Sequence, residues 1–288
     1  MMGYPRRMTR IDPHTHSSCS DGTDAPAQLM RAARDAGLSL VGLTDHDTFA
    51  GWDEAAAAVG ETGVALLRGV EISCSADGIT VHLLGYLMDP ADAALNGAFA
   101  RTVEDRRTRA RRMVDNLAAD FPITWEQVLA FAPADGPVGR PHIADALVAA
   151  GAFPDRDSAF VHALHPSGPY YARHWAPDPV DAVRMVRGAG GVPVLAHPRA
   201  RARQRLLPED VIERMAEAGL YGIERDHRDH DEAGRADVDR LAARLGLAIT
   251  GSSDYHGTGK PNRLGENTTD PAVIDGIVSQ GTLDVVHP

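Results

Sequence analysis

Short apolar runs alternate with helix-patterned segments along most of the chain, and this alternation restricts the fold more than any other feature. The apolar runs that read as strands cover residues 11–14, 40–43, 65–72, 80–86, 192–196, 221–224 and 247–250. Between them, 26–36 ends on Gly37, Asp178 stands before Pro179 as a helix cap, and 208–218 ends on Gly219. These are the residue types that start and stop helices. Strand and helix in repetition predict a parallel α/β architecture, with seven strands where a regular (β/α) barrel has eight. The alternation breaks between Asp89 and Pro177. There, helical patterns at 91–119, at a capping box of Thr124 with Gln127, at 141–150 and at 155–164 run without a convincing strand. The expected organisation is a discontinuous barrel over 11–90 and 177–285, a helical insertion over 91–176, and a loose leader over 1–10.

At 288 residues the chain can bury a sizeable core. Lys plus Arg is 29 against 40 Asp plus Glu, a formal charge of −11, and so acidic a surface repels long duplex nucleic acid. Two cysteines, Cys19 and Cys74, are too few for a disulfide scaffold and read as packing residues, and no secretory leader pattern opens the chain. The expected compartment is the cytoplasm. No apolar stretch approaches the length of a membrane span, so no membrane partner is expected. Lys260 is the only lysine, and because Pro261 follows it there is no Walker-type Gly-Lys-Ser/Thr.

Asp12-Pro13-His14-Thr15-His16 places two imidazoles two residues apart at a strand end, where period-two geometry turns both to one side. The pair suits two ligands on one metal, and equally suits polar residues closing a strand. Ser20-Asp21-Gly22 adds a carboxylate in a turn, and Thr44-Asp45-His46-Asp47 a polar cluster after an apolar run. Glu71 sits inside the apolar strand Val70-Glu71-Ile72-Ser73, where an unpaired charge is costly; a metal would account for it, and so would an arginine. His82 lies in the next strand, His197 ends Val194-Leu195-Ala196-His197-Pro198, and Ser253-Asp254-Tyr255-His256 follows the last strand. In parallel barrels the functional face is the one at the carboxyl ends of the strands, so residues far apart in sequence converge on one mouth. Each residue alone has a bland reading as a satisfied polar group. Together they point to multinuclear metal binding.

As a set, these motifs resemble those of the PHP (polymerase and histidinol phosphatase) family of metal-dependent phosphoesterases, over about residues 11–281. The resemblance implies a distorted (β/α)7 barrel holding a trinuclear site. One ion would take His14, His16, Glu71 and Asp254; a second would share Glu71 and take His82 and His197; a third would take Asp21, His46 and His256. Three carboxylates against three divalent ions leave a local charge of about +3, which suits an anionic phosphate. Two to three divalent ions are expected, Mn²⁺ first, with Fe²⁺ and Zn²⁺ left open by the imidazole and carboxylate donors.

Clustered cations lower the pKa of a bridging water and orient a phosphoryl group, which implies phosphoester hydrolysis by in-line attack. In the insertion, Gly139-Arg140-Pro141-His142 opens a helical pattern, placing Arg140 and His142 where a helix amino end could hold a second phosphate. In one PHP subgroup an arginine at the place of Arg140 contacts nucleotide phosphate. That subgroup dephosphorylates nucleoside 3′,5′-bisphosphates, and related members trim short RNA from the 5′ end. Arg199, just after the His197 strand end, could reach the same phosphate, and His227 is read either as a residue of the mouth or as part of a solvated charged loop. Tyr170, Tyr171, His174 and Trp175 form an aromatic cluster that could stack a base or simply pack. The expected partners are a small nucleotide or short oligoribonucleotide and the phosphate product. Histidinol phosphate is the alternative substrate, and a non-catalytic metal- or phosphate-binding PHP module the alternative of another class.

Overall fold

The computed structural model describes residues 10–132, 138–165, 168–173, 175–201 and 205–288. The leader other than Arg10, and His174, lie outside the described residues. The chain divides into two compact units, one of Met1–Phe99 with Ala176–Pro288 and one of Ala100–Trp175.

In the first unit the strands are β1 (Ile11–Thr15), β2 (Leu40–Leu43), β3 (Ala65–Ala76), β4 (Ile79–Tyr86), β5 (Val192–Leu195), β6 (Gly222–Asp226) and β7 (Ala248–Gly251). They form one seven-stranded sheet in sequence order, curled into a nearly closed barrel. The helices are α1 (Pro26–Asp35), α2 (Trp52–Ala57), α3 (Val59–Thr62), the start of α4 (Ala93–Leu117), α8 (Pro179–Gly188), α9 (Glu209–Glu217), α10 (Glu232–Leu245) and α11 (Pro271–Val278). Helix α1 shows why such segments settle on the sheet. Leu29, Met30 and Ala33 are buried on one side while Arg31, Arg34 and Asp35 stay in water. Burying a Leu or Met side chain contributes about 1.5–3 kcal/mol. Asp178 caps α8 through the Val180 N–H, as its position before Pro179 predicts.

The parallel expectation needs one correction. Strand β4 runs antiparallel to both β3 and β5, whereas the other ladders are parallel. Asp77 and Gly78 join β3 to β4 with φ of 47° and 76°, the left-handed pair of a two-residue hairpin turn. So short a connection cannot cross over, and the strand must turn back. The reversal sets Ser73 opposite His82 and leaves Glu71 on the same face, one pleat away.

The barrel edges are joined without a ladder. His16 N–H donates to Tyr255 O at 2.8 Å, Asp254 N–H to His14 O at 3.0 Å, and Ser253 N–H to Asp12 Oδ1 at 3.0 Å. Strands β1 and β2 also approach closely at Gly42, where a Cβ would stand 2.0 Å from Pro13 O. Leu95 and Phe99 on the first turns of α4 belong to the barrel core, so the second unit begins at Ala100 and not at 91.

The second unit contains the rest of α4, α5 (Trp125–Leu129), α6 (Arg140–Ala149) and α7 (Arg156–His162) around its own core of Met113, Val114, Leu117, Ile143, Leu147 and neighbours. Thr124 and Gln127 form the expected reciprocal cap on α5. Among the described residues, no helix is long and apolar enough to cross a membrane.

Candidate metal centre

The expected ligands come together, Glu71 from within β3, His82 from within β4 and the others from or beyond the ends of β1, β2, β5 and β7. Period-two geometry turns Asp12, His14 and His16 to one side of β1, and His14 Nε2 lies 3.1 Å from His16 Nε2. Both nitrogens face Glu71 Oε2, at 3.2 and 3.0 Å, and Asp254 Oδ1, at 3.5 and 3.3 Å. Donor atoms about 2.1 Å from a shared cation stand about 3.0 Å apart across an octahedral edge and about 3.4 Å across a tetrahedral one. Apart from the 3.5 Å between His14 and Asp254, the observed spacings fall in that interval, so this set fits a divalent ion.

Glu71 uses its two oxygens differently. Oε2 faces His14, His16 and His46, the last at 3.4 Å, while Oε1 faces His82 Nδ1 at 2.8 Å and His197 Nε2 at 3.2 Å. A carboxylate so placed suits a bridge between two ions. Asp21 Oδ1 lies 3.2 Å from His256 Nε2 and 3.7 Å from His16 Nδ1, and its Oδ2 lies 3.8 Å from His46 Nε2. Ligand atoms converge as His14, His16, Glu71 and Asp254; as His16, Asp21, His46 and His256; and as His46, Glu71 and His82. The sets share His16, His46 and Glu71, which a strict three-way division does not foresee. His197 reaches Glu71 but stands outside these three sets.

Burial divides the centre. The side chains of His14, His16, Glu71, Asp254 and His256 are at most 2% exposed, whereas His46 is 14%, His82 24% and Asp21 53% exposed. On the buried side, burial pulls the His14 ring down, but Glu71 and Glu224 hold it well above its usual range. His16 is likewise disfavoured as a cation by burial, yet Asp254 and Glu71 raise it to about 9. Glu71 stays far below the usual carboxylate range because His82, His46 and His14 outweigh its burial. For His46 burial dominates, and with His16 and His82 beside it the ring falls to about 3. His14 and His16 thus favour the cation, while burial turns His46 and His197 toward the neutral form.

Several residues that sequence reasoning passed over support these ligands. Glu224, fully buried within β6, places Oε1 3.2 Å from His14 Nδ1 and accepts the Ser252 hydroxyl there, while its Oε2 accepts the His197 N–H at 2.9 Å. Burial opposes its charge, but His14 keeps Glu224 ionised, at about 2. An ionised carboxylate only accepts, so His14 Nδ1 carries the proton and Nε2 is turned toward Glu71. The signal was available: a carboxylate set inside an apolar strand, as at Glu71. Asp45 accepts from Ser17 N, Ser17 Oγ and Ser20 Oγ, tying down the loop that carries Asp21. Asp12 holds the Ser253 and Gly265 N–H groups, and burial lifts its carboxyl to about 6. Lys260 Nζ stands 3.4 Å from Asp254 Oδ2.

His197 and Asp254 have φ of 27° and 53°, values that cost a non-glycine residue about 1–3 kcal/mol. Their N–H bonds to Glu224 and His14 hold them there.

The expected substrate contacts are placed less uniformly. His227 is buried beside the centre, its Nε2 3.5 Å from Asp254 Oδ2 and its ring 5.0 Å from that of His197. Arg199 must be corrected. Its side chain is 2% exposed, with Nε on Asp237 Oδ2 at 2.6 Å and Nη1 on Leu207 O at 3.2 Å, so it braces α10 and the loop before α9 and does not present a fork to phosphate. In the second unit, His142 Nδ1 accepts the Gly139 N–H at 3.1 Å and closes the start of α6. Arg140 Nη1 donates to Leu164 O at 3.3 Å. Tyr170 packs at 69° to Phe121 and donates its hydroxyl to Asp120, and Arg101 lies over the Trp175 ring. Arg225, unexplained by its place near a strand end, pairs with Asp226 and Asp239.

Residues 12–120 match the PHP domain. The chain is 36% identical to the 3′,5′-nucleoside bisphosphate phosphatase of Chromobacterium violaceum, over 91% of this chain and 93% of that protein. It is 34% identical to the phosphoribosyl 1,2-cyclic phosphate 1,2-diphosphodiesterase of Eggerthella lenta, covering 85% and 94% of the two chains. Identity to a 5′-3′ exoribonuclease of Haemophilus influenzae is also 34%, covering 66% and 69%. A solved structure from Bifidobacterium adolescentis, provisionally assigned as a metal-dependent phosphoesterase, superposes with a TM-score of 0.76 at 43% identity, covering 94% and 96%.

Proposed function

The chain belongs to the PHP family and is a metal-dependent phosphoesterase, and on that premise we propose that it removes the 3′-phosphate from a nucleoside 3′,5′-bisphosphate. The carrying observation for the chemistry is Glu71, whose two oxygens face two groups of imidazoles. The choice of substrate draws on the likeness to the Chromobacterium violaceum phosphatase over most of both chains.

In this reading His14, His16, Glu71 and Asp254 hold one ion, Glu71 with His82 and His197 a second, and Asp21, His46 and His256 a third. Mn²⁺ is the first choice. Divalent ions held there would supply the Lewis acidity that activates water and offsets charge on the phosphoryl oxygens. The chain's own residues set the geometry. Glu224 fixes the His14 tautomer, and His227 and Lys260 approach the outer oxygen of Asp254. The phosphate enters from the side of Asp21, His46 and His82, where the side chains are exposed.

Two further activities have a relative behind them: opening of a cyclic sugar phosphodiester and 5′ to 3′ trimming of short RNA. The experiment that separates them measures kcat/KM of Mn²⁺-loaded protein on adenosine 3′,5′-bisphosphate, AMP, a ribose 1,2-cyclic phosphate, a 5′-phosphorylated RNA trimer and histidinol phosphate, with a chelator control. Chelator-sensitive preference for the bisphosphate is the expected result. Preference for another member of the panel transfers the assignment to it, and silence on all five points to another phosphoester or to a binding role.

A further inference from the structure

Lys260 stands apart from the other cations of the chain. The sequence carries 29 Lys and Arg, and all but this one are arginine. Its main chain is fixed on both sides. Before it, the single turn Gly257–Gly259 is docked on the loop of Asp21: Thr258 N–H donates to Thr23 Oγ1 at 2.9 Å, and Thr23 N–H donates to His256 O at 3.2 Å. The approach is close, since a Cβ on Gly257 would stand 2.0 Å from Thr23 Oγ1. After it, Pro261 restricts Lys260 to extended backbone, at φ −136° and ψ 159°, and the buried Asn262 side chain donates to Ser253 O at 2.7 Å. The side chain itself is held far less. Nζ meets Asp254 Oδ2 at 3.4 Å, where a charge-assisted bond closes to about 2.7–2.9 Å, and the side chain is 30% exposed. Asp254 Oδ2 has a further neighbour in His227 Nε2, at 3.5 Å. A rigid loop thus brings a slack ammonium to a proposed ligand, beside the loop of Asp21 on the open side of the centre. Three rotatable donors on a flexible stem suit a cation that changes partners, whereas an arginine fork would close on the carboxylate and stay there.

We propose that Lys260 is a catalytic residue that touches the substrate: once Asp254 holds its ion, the ammonium leaves Asp254 Oδ2 and takes a non-bridging oxygen of the phosphoryl group under attack. An ion on Asp254 takes up the charge that draws Nζ inward, and the incoming anion offers it a new partner. A cation on the phosphoryl oxygens offsets their repulsion of an attacking hydroxide. The contact is with the phosphoryl group and is indifferent to the nucleoside. It rests on the phosphoesterase reading and not on the choice of the bisphosphate.

Calorimetry of inorganic phosphate titrated into the Mn²⁺-loaded full chain tests the contact without turnover. K260Q should weaken phosphate binding by about tenfold, and K260R by about threefold, because a guanidinium keeps the charge and loses the fit. Mn²⁺ affinity of K260Q, read by competition with a chromogenic chelator, should not fall, since a like charge beside an ion does not hold it. A parallel fall in metal and phosphate affinity would make Lys260 a support of Asp254 and overturn the contact, as would phosphate isotherms of K260Q that superimpose on wild type. The single lysine gives a second readout. Acetylation of Lys260, followed by mass mapping of its peptide, should slow by about fivefold or more when saturating phosphate is added to Mn²⁺-loaded protein, and should not change when it is added to chelated protein. Equal protection in both overturns the exchange of partners. In turnover, K260Q should lower kcat/KM by about a hundredfold on each phosphoester that the wild type hydrolyses. A loss confined to the nucleoside bisphosphate would move the contact to the nucleoside and overturn it. Preference of the wild type for another phosphoester, with the phosphate isotherms as expected, would count against the proposed reaction and leave the contact of Lys260 standing.

Discussion

The buried and open sides of the metal centre are built on different principles. On the buried side His14, His16, Glu71 and Asp254 are nearly inaccessible, and further protein groups reach them: Glu224 meets His14, and His227 and Lys260 approach Asp254. On the open side Asp21 and His82 keep much of their surface in water. A group that has left water must be over-determined by partners, whereas an exposed group can adjust. The buried side is therefore expected to hold its ion tightly and the open side to exchange its ion and admit substrate.

The most severe break in that division is Glu71→Gln, because Glu71 faces both imidazole groups. It should lower kcat by about a thousandfold or more and reduce bound metal across the whole centre; a variant retaining full metal content would separate Glu71 from the ligands. Next comes Glu224→Gln, which leaves every proposed ligand in place but removes the charge that orients His14. Its metal affinity should fall by about 10- to 100-fold, as read by competition with a chromogenic chelator. Asp21→Asn should cost about tenfold or less and empty one site only, visible as a change in metal stoichiometry with the buried ion retained. Equal losses from Glu224→Gln and Asp21→Asn would erase the distinction between the two sides.

The smallest effect concerns pH. His16 stands at about 9 against an ordinary 6.5, and His14 is also raised, so the ion-free fold gains stability from their charge. That gain is fully present below pH 6.5 and fades as pH rises through 9. Metal binding runs the opposite way, since it must release those protons and strengthens as pH rises. Thermal melts should show the gap in Tm between metal-loaded and chelated protein widening from pH 6.5 to 9. A constant gap would mean that His14 and His16 are neutral before the ion arrives.

Much of this centre was legible because strand ends are legible. His14, His16, Glu71, His197 and Asp254 follow or interrupt apolar runs, and the barrel brings such positions to one mouth. The reversal of β4 was equally written, in Asp77-Gly78, but apolar periodicity does not report strand direction. Arg199 misled for another reason. Its neighbour His197 lies at the centre, yet its own direction is decided by Asp237 on α10, a partner remote in sequence. Glu224 went unrecognised beside Arg225 because the pattern shows that a carboxylate is buried but not what pays for it.

The seam between β1 and the segment after β7 lends itself to a different kind of measurement. Two of the amides that hold it belong to His16 and Asp254, and the carbonyl accepting from Asp254 is that of His14. Fluctuations that part the barrel edges must therefore pull the proposed ligands away from one another. Hydrogen exchange at those two amides becomes a clock for the centre: with ions bound it should slow toward the rate of global unfolding, and as they leave it should quicken while the amides of the β3–β4 hairpin keep their protection. Edge opening and ion release would then be one event seen from two sides.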